Sequence, residues 1–141
     1  MPRARKRWVL DTSALFCLKQ NEPGADAVED MLRKDGPRGG VYLCFMSLME
    51  YYYVLQKTEG ESRARHGYLE LKQLPLRVVE SDEELALSAA RIKASTALSV
   101  ADAWIAATAD RLGATLVHKD PEFEPLKEKI LLSKLPYNVT S

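Results

Sequence analysis

WVLDTSAL, residues 8–15, joins a strand to a helix through a single carboxylate. Its three leading apolar residues predict a short buried strand that ends at Asp11. Thr12 and Ser13 follow with hydroxyls that can cap a helix, and Ala14 and Leu18 continue at helical spacing. The segment therefore predicts a strand, a carboxylate and then a helix, as in an α/β domain.

Further apolar stretches predict strands at residues 41–45, 76–79 and 114–117, with a last edge strand at 130–132. Helical patterns separate them, and three of these patterns begin with the spacing of a capping box: Ser47 with Glu50, Ser81 with Glu84, and Ser99 with Asp102. Strands that alternate with helices predict a mainly parallel sheet of four to five strands in a three-layer α/β/α sandwich. The functional crevice of such a sheet lies outside the carboxyl ends of its strands.

The chain has 141 residues, the size of one domain. We expect that domain to occupy residues 1–141, with a basic N-terminal arm at 1–7 and a C-terminal tail at 134–141. Basic and acidic residues number 20 each, so any contact with nucleic acid must come from local patches.

The two cysteines, Cys17 and Cys44, lie in apolar segments without metal-ligand spacing. This favours buried, reduced thiols over a disulfide or a zinc site. No apolar run reaches the length of a membrane span, and the basic N-terminus leads straight into a strand without a secretion signal. We therefore expect a soluble, cytoplasmic protein with no membrane partner.

Four acidic residues stand where an apolar stretch meets a turn or a helix start: Asp11, Glu50, Asp102 and Asp120. Carboxylates about 4 Å apart repel by roughly 4 kcal/mol per pair at an effective dielectric of 20. A cluster of them needs a cation or a proton near neutral pH. The pattern therefore predicts a site for a divalent metal.

Each acid also has a purely structural interpretation. Glu50 and Asp102 each lie three residues after a serine, as in a capping box. Asp11 alone fits a helix cap, and Asp120 before a proline fits a turn. The occurrence of all four in one chain favours the shared site.

Four phrases of the sequence together resemble the PIN-domain nucleases, in particular the VapC-type toxins: VLDTSAL with Asp11, SLMEYYYVL with Glu50, SVADAWIAATA with Asp102, and LVHKDPEF with Asp120. Their order and spacing agree along nearly the whole chain. In that family the matching acids surround one or two Mg²⁺ or Mn²⁺ ions and cut RNA. The resemblance implies a metal-dependent endoribonuclease, the toxin of a type II toxin–antitoxin pair.

The resemblance also implies partners and supporting residues. Family toxins form homodimers and are neutralised by a small antitoxin whose C-terminal segment occupies the active-site groove. Thr12 matches a hydroxyl that supports the acids. His118 departs from the family pattern, which often has Thr or Ser there, and it can contact phosphate or only fill space.

The chemistry of phosphodiester hydrolysis suggests a division of roles among the acids. We expect Asp11 and Asp102 to bind metal most directly, Asp120 to hold a second position or orient water, and Glu50 to position or deprotonate the attacking water.

Basic residues near the acids in sequence are candidates for RNA contacts: Arg91, Lys93 and Lys119. The basic arm is a second candidate, with Arg3, Arg5, Lys6 and Arg7 available to hold phosphates.

Two other functions remain open. A phosphoacceptor signalling domain also carries acids at the carboxyl ends of a parallel sheet, but it needs paired acids after its first strand, where this chain has only Asp11. A PIN domain can also process RNA without an antitoxin or bind RNA or protein without cutting. The presence of all four acids argues against a scaffold that does not cut.

Overall fold

A computed structural model describes residues 6–137. Within this range the elements follow in the order β1 (Trp8–Leu10), α1 (Thr12–Lys19), α2 (Ala25–Asp35), β2 (Val41–Cys44), α3 (Phe45–Glu59), α4 (Glu61–Lys72), β3 (Arg77–Val79), α5 (Glu83–Ser95), α6 (Val100–Leu112), β4 (Thr115–His118), a 3₁₀ helix (Pro121–Leu126) and β5 (Leu132–Lys134). No helix among the described residues has the length and apolar character needed to cross a bilayer.

The strands form one parallel sheet in the order β3-β2-β1-β4-β5. This confirms the predicted parallel sheet and the α/β/α class. The chain moves from β1 outward to β2 and β3 and then returns to the other side of β1 as β4, so the strand order reverses between β1 and β4. Asp11 follows β1 and Asp120 lies two residues beyond β4, which places both at this switch point, where parallel sheets bind ligands.

Helices cover both faces of the sheet. Successive strand residues point to opposite faces, so Val9 and Leu116 pack with α5 and α6, whereas Leu10 and Val117 pack with α1 to α4. Helix α6 is buried on most sides, as its alanine-rich sequence predicts. Small side chains allow this helix to lie close against the sheet and bring Asp102 to its edge.

The three predicted capping boxes have different outcomes. Ser99 caps α6 as predicted, because its Oγ accepts from the Asp102 N–H at 3.1 Å. The box at Ser47 is wrong: β2 runs directly into α3 at Phe45, so Ser47 lies buried in the first turn. The box at Ser81 is also wrong, since the cap of α5 is the next residue, Asp82.

The last strand begins two residues later than predicted. Ile130 packs in the core on the α5 and α6 face and does not enter the strand. The predicted tail at 134–141 begins inside β5, and Leu135 is buried with its N–H donating to the His118 carbonyl at 2.8 Å. Residues 138–141 of that tail, and Arg3 and Arg5 of the arm, lie outside the described residues. Cys17 and Cys44 are free, buried thiols, as predicted.

Candidate metal centre

Asp11 divides its two carboxylate oxygens between two tasks. Oδ2 caps α1 by accepting from the Ser13 N–H at 3.1 Å and from the Ser13 hydroxyl. The residue is only 3% exposed, and Oδ1 has no hydrogen-bond partner within residues 6–137. A buried carboxylate oxygen without a partner is costly, so Oδ1 is suited to bind a cation.

Asp102 and Asp120 approach each other closely, and a third acid joins them. Carboxylate oxygens of Asp102, Asp120 and Glu122 all lie within 4.8 Å of one another. Asp120 caps the 3₁₀ helix, and its Oδ1 accepts from the Glu122 N–H at 2.9 Å. Glu122 is exposed and was not predicted; the signal for it is a second acid two residues after Asp120 in the same turn.

Glu50 approaches from α3 and is held by Thr12. The Thr12 hydroxyl donates to Glu50 Oε1, and Ser47 Oγ lies 3.1 Å from the same hydroxyl. Thr12 is 5% exposed. It therefore links the start of α1 to α3 and orients Glu50. Neither Glu50 nor Asp11 belongs to the close group of three.

Electrostatic coupling joins the four predicted acids, called the acid cluster from here on: Asp11, Glu50, Asp102 and Asp120. Burial raises the pKa of Asp11 to about 6, and the charges of Glu50 and Asp120 add to this while the Ser13 hydrogen bonds oppose it. Burial raises the pKa of Asp102 to about 7, and the other three acids add to that rise.

The acid cluster takes part in no ion pair within residues 6–137. The four residues thus converge from β1, α3, α6 and the segment after β4 on one strongly negative site.

His118 supports Asp120 through the backbone. It is 1% exposed, and its Nδ1 lies 2.9 Å from the Asp120 carbonyl and 3.3 Å from the Asp120 nitrogen. The ring packs edge-on against Phe123, with centroids 5.5 Å apart. Burial lowers the pKa of His118, which favours a neutral imidazole. The ring is enclosed, and its Nε2 has no hydrogen-bond partner within residues 6–137.

Ser13 is a second residue that the sequence prediction did not assign to the site. Its hydroxyl donates to Asp11 and accepts from the Lys119 N–H at 2.9 Å. It therefore ties the segment after β4 to the start of α1 and keeps Asp11 and Asp120 together. A serine two residues after a capping aspartate is the signal in the sequence.

Lys119 was a candidate for RNA contact, but the structure places its side chain inside the protein. Its side chain is 3% exposed, and its Nζ contacts Glu22 Oε1 at 3.2 Å and the Pro23 carbonyl at 3.1 Å. Arg91 and Lys93 lie exposed on α5. Lys6 and Arg7 precede β1, at the end of the sheet opposite the acid cluster.

A comparison with protein-family models identifies a PIN domain at residues 8–129. The chain belongs to the PIN domain family. A search of curated proteins found no match to this PIN domain.

Solved structures share the fold of this PIN domain. VapBC2 from Rickettsia felis, bound to a DNA fragment from its promoter, matches with a TM-score of 0.72 at 15% identity, covering 92% of this chain and 98% of that one. DNA-bound VapBC from Salmonella typhimurium matches with a TM-score of 0.70 at 20% identity and the same coverage of 92% and 98%. VapC20 from Mycobacterium tuberculosis, described as a sarcin–ricin loop cleaving toxin, matches with a TM-score of 0.67 at 16% identity, covering 84% and 93%.

The donor set of the PIN domain fits a hard divalent cation. All candidate ligands are carboxylate oxygens, which Mg²⁺ and Mn²⁺ prefer over nitrogen or sulfur. Asp11 Oδ1 is buried without a hydrogen-bond partner among residues 6–137, and Asp102 carries a raised pKa that a nearby cation would reverse. Both features fit a site that binds metal.

Proposed function

We propose that this PIN domain is a metal-dependent endoribonuclease and the toxin of a type II toxin–antitoxin pair. The observation that carries the proposal is the convergence of the acid cluster at the switch point of the sheet, where no lysine or arginine from residues 6–137 pairs with it. Membership of the PIN domain family and the similarity to an RNA-cleaving toxin support it.

The residues divide into those that hold the metal and those that hold a proton. Asp11 Oδ1 and the carboxylates of Asp102 and Asp120 would bind Mg²⁺ or Mn²⁺, with Glu122 on the exposed side. When bound, the ion supplies a Lewis acid that polarises a phosphoryl oxygen and lowers the pKa of a water. Because oxygen ligands and water suffice for this chemistry, the site needs no nucleophilic side chain.

Glu50 is the proposed proton acceptor. Its Oε1 is engaged by Thr12, and Oε2 has no hydrogen-bond partner in the described part of the chain. This oxygen can accept a proton from the water that attacks the phosphodiester. The oriented carboxylate then releases the proton to solvent from its half-buried position on α3.

RNA, an antitoxin and a second copy of the chain are the proposed partners, and the cytoplasm is the proposed location. The similar structures of VapBC assemblies support an antitoxin. If a short reading frame for a DNA-binding protein lies beside this gene, the protein is a toxin. If none is there, an RNA-processing PIN nuclease without an antitoxin is favoured.

Asp102→Asn tests the enzyme. Purified protein is incubated with folded RNA in Mg²⁺, in Mn²⁺ or in chelator, and products are separated on a gel. We expect the natural protein to cleave RNA only with metal. The cleavage rate of Asp102→Asn should be lower by more than about 100-fold, because even an outer partner of a metal ligand contributes 10–100-fold to activity. Asp110→Asn, an exposed acid on the same helix, is the control. Equal cleavage by both variants would refute the proposal.

A further inference from the structure

A cleft at the amino ends of the strands gathers positive charge. It has a volume of about 200 Å³ and is lined by four basic side chains together with glycines and Tyr42; the basic residues are Lys6, Arg7, Arg38 and Arg77. We call it the basic cleft. It lies at the end of the sheet opposite the acid cluster.

The topology of the sheet explains this gathering. Strands β1, β2 and β3 are parallel neighbours, so their amino ends meet at one edge. Lys6 and Arg7 precede β1, Arg38 precedes β2, and Arg77 opens β3. Asp11 lies four positions after Arg7, which corresponds to about 13 Å along a strand. A phosphate in the basic cleft is therefore not the phosphate that is cut.

Gly39 gives Arg77 its place in the cleft. This glycine has a φ of +74°, and a Cβ built on it would lie 2.4 Å from Arg77 Nη2. The guanidinium thus occupies space that a side chain at position 39 would need. The glycine both permits the backbone turn before β2 and opens a position for a cation.

Most of the charge in the basic cleft is unopposed. Arg38 pairs with Asp35, whose other oxygen accepts from Trp8 Nε1 at 2.8 Å. Lys6 lies 5.5 Å from the centroid of the Trp8 ring, and Arg7 donates to a backbone carbonyl. No carboxylate within residues 6–137 pairs with Lys6, Arg7 or Arg77. Guanidinium and ammonium groups without a carboxylate partner match the oxygens of phosphate.

We propose that the basic cleft binds phosphates of the RNA backbone, as a second contact remote from the acid cluster. This rests on the proposed function. An acid cluster repels a polyanion, and Lys119, the cation next to it in sequence, is buried in an ion pair. Affinity for RNA must then come from elsewhere on the surface, and the basic cleft supplies three cations that pair with no carboxylate of residues 6–137. It selects RNA long enough to reach both ends of the sheet.

The test removes two charges from the cleft and compares a matched control. Lys6→Gln with Arg77→Gln is set against Arg63→Gln with Arg65→Gln, two exposed arginines that pair with glutamates of α3 and α4. Binding of a labelled RNA hairpin is measured in chelator at several salt concentrations. Affinity for RNA decreases as salt increases, so the slope of log affinity against log salt is negative. We expect this slope to become shallower by about 2 in the cleft variant, one per lost phosphate contact, and to stay unchanged in the control.

Further measurements decide the interpretation. Unfolding midpoints show that both double variants are folded. Cleavage of a short oligonucleotide in Mg²⁺ should be equal in the cleft variant and the control. The KM for the hairpin should rise only in the cleft variant. Equal salt slopes in both variants overturn the cleft alone and leave the nuclease intact. Displacement of RNA by equimolar inorganic phosphate assigns the cleft to free phosphate and also overturns the proposal. Failure of the natural protein to cleave RNA in the presence of metal overturns both proposals.

Discussion

Asp11 shows how one residue type meets two requirements. Its short side chain lets Oδ2 reach the Ser13 N–H as a helix cap while Oδ1 remains buried and available. A glutamate at this position would place its carboxylate one methylene further from the backbone and lose the cap. The cap therefore fixes the direction in which the free oxygen points.

Thr12→Val tests whether this hydroxyl positions Glu50. The two side chains have the same shape, so the change removes only the donor to Glu50 and the contact with Ser47. We expect kcat to fall by about 10–100-fold, as for loss of an outer partner, with KM for RNA unchanged. Leaving buried polar groups without a partner should also lower the free energy of unfolding by about 1–3 kcal/mol.

Thr12→Ser is the matched control, because it keeps the hydroxyl and loses a methyl group. Steady-state kinetics on RNA together with urea unfolding should show recovery of kcat in this variant. If Thr12→Val and Thr12→Ser have the same kcat, the hydroxyl does not position Glu50, and the role assigned to Thr12 is wrong.

At the scale of elements, the junctions between strands and helices explain which predictions succeeded. The approach of Asp11 to Asp120 was predictable because the carboxyl ends of parallel strands share one edge, whereas Asp102 reaches that edge from the first turn of α6. The box at Ser47 failed because its spacing also fits a first turn when β2 enters α3 without a loop. Glu122 was missed because no periodicity marks the short 3₁₀ helix that carries it.

Lys119 was misassigned because closeness in sequence does not give the direction of a side chain. The alternation of β4 continues for one residue beyond its end: Val117 packs on the α1 to α4 face, His118 contacts Phe123 on the other, and Lys119 returns to the first face at Glu22. A strand period extended past His118 would have predicted this placement.

Lys119→Met tests the structural role of this lysine. The change keeps the length of the side chain and removes the contacts of Nζ that join the end of β4 to the turn between α1 and α2. We expect the free energy of unfolding to fall by about 1–3 kcal/mol, less than for a fully buried pair because Glu22 is 22% exposed. RNA affinity should stay unchanged. Lys93→Met on exposed α5 is the control and should not alter stability. If Lys119→Met loses RNA affinity without losing stability, Lys119 contacts RNA and the structural role is wrong.

At the scale of the whole molecule, a chain with equal numbers of acidic and basic residues carries one cluster of each sign at opposite ends of the sheet. The acid cluster lies at the carboxyl ends of the strands and the basic cleft at the amino ends of β1, β2 and β3. Net charge therefore conceals both sites, and only the topology reveals them. The burial and proximity of the acids predict a stability that depends on pH and on divalent metal.

The pH dependence of unfolding follows from the two raised pKa values. Asp11 rises from 3.8 to about 6 and Asp102 from 3.8 to about 7 on folding, so between these values the folded chain binds more protons than the unfolded chain. Stability in chelator must then fall as the pH rises from about 5 to about 8. A shift of about 2 pKa units corresponds to about 3 kcal/mol, and each kcal/mol changes the midpoint by about 2–4 °C.

Mg²⁺ should reverse this loss, because it binds only the folded chain and competes with protons for the same carboxylates. Differential scanning fluorimetry with Mg²⁺ or chelator, at about pH 5 and about pH 8, measures both effects. We expect a larger rise of the midpoint with Mg²⁺ at the higher pH, and a smaller pH dependence in Asp102→Asn, which lacks one of the two titrating groups. An equal effect of Mg²⁺ at both pH values, or a midpoint that rises with pH in chelator, would show that the acid cluster does not bind the ion as proposed.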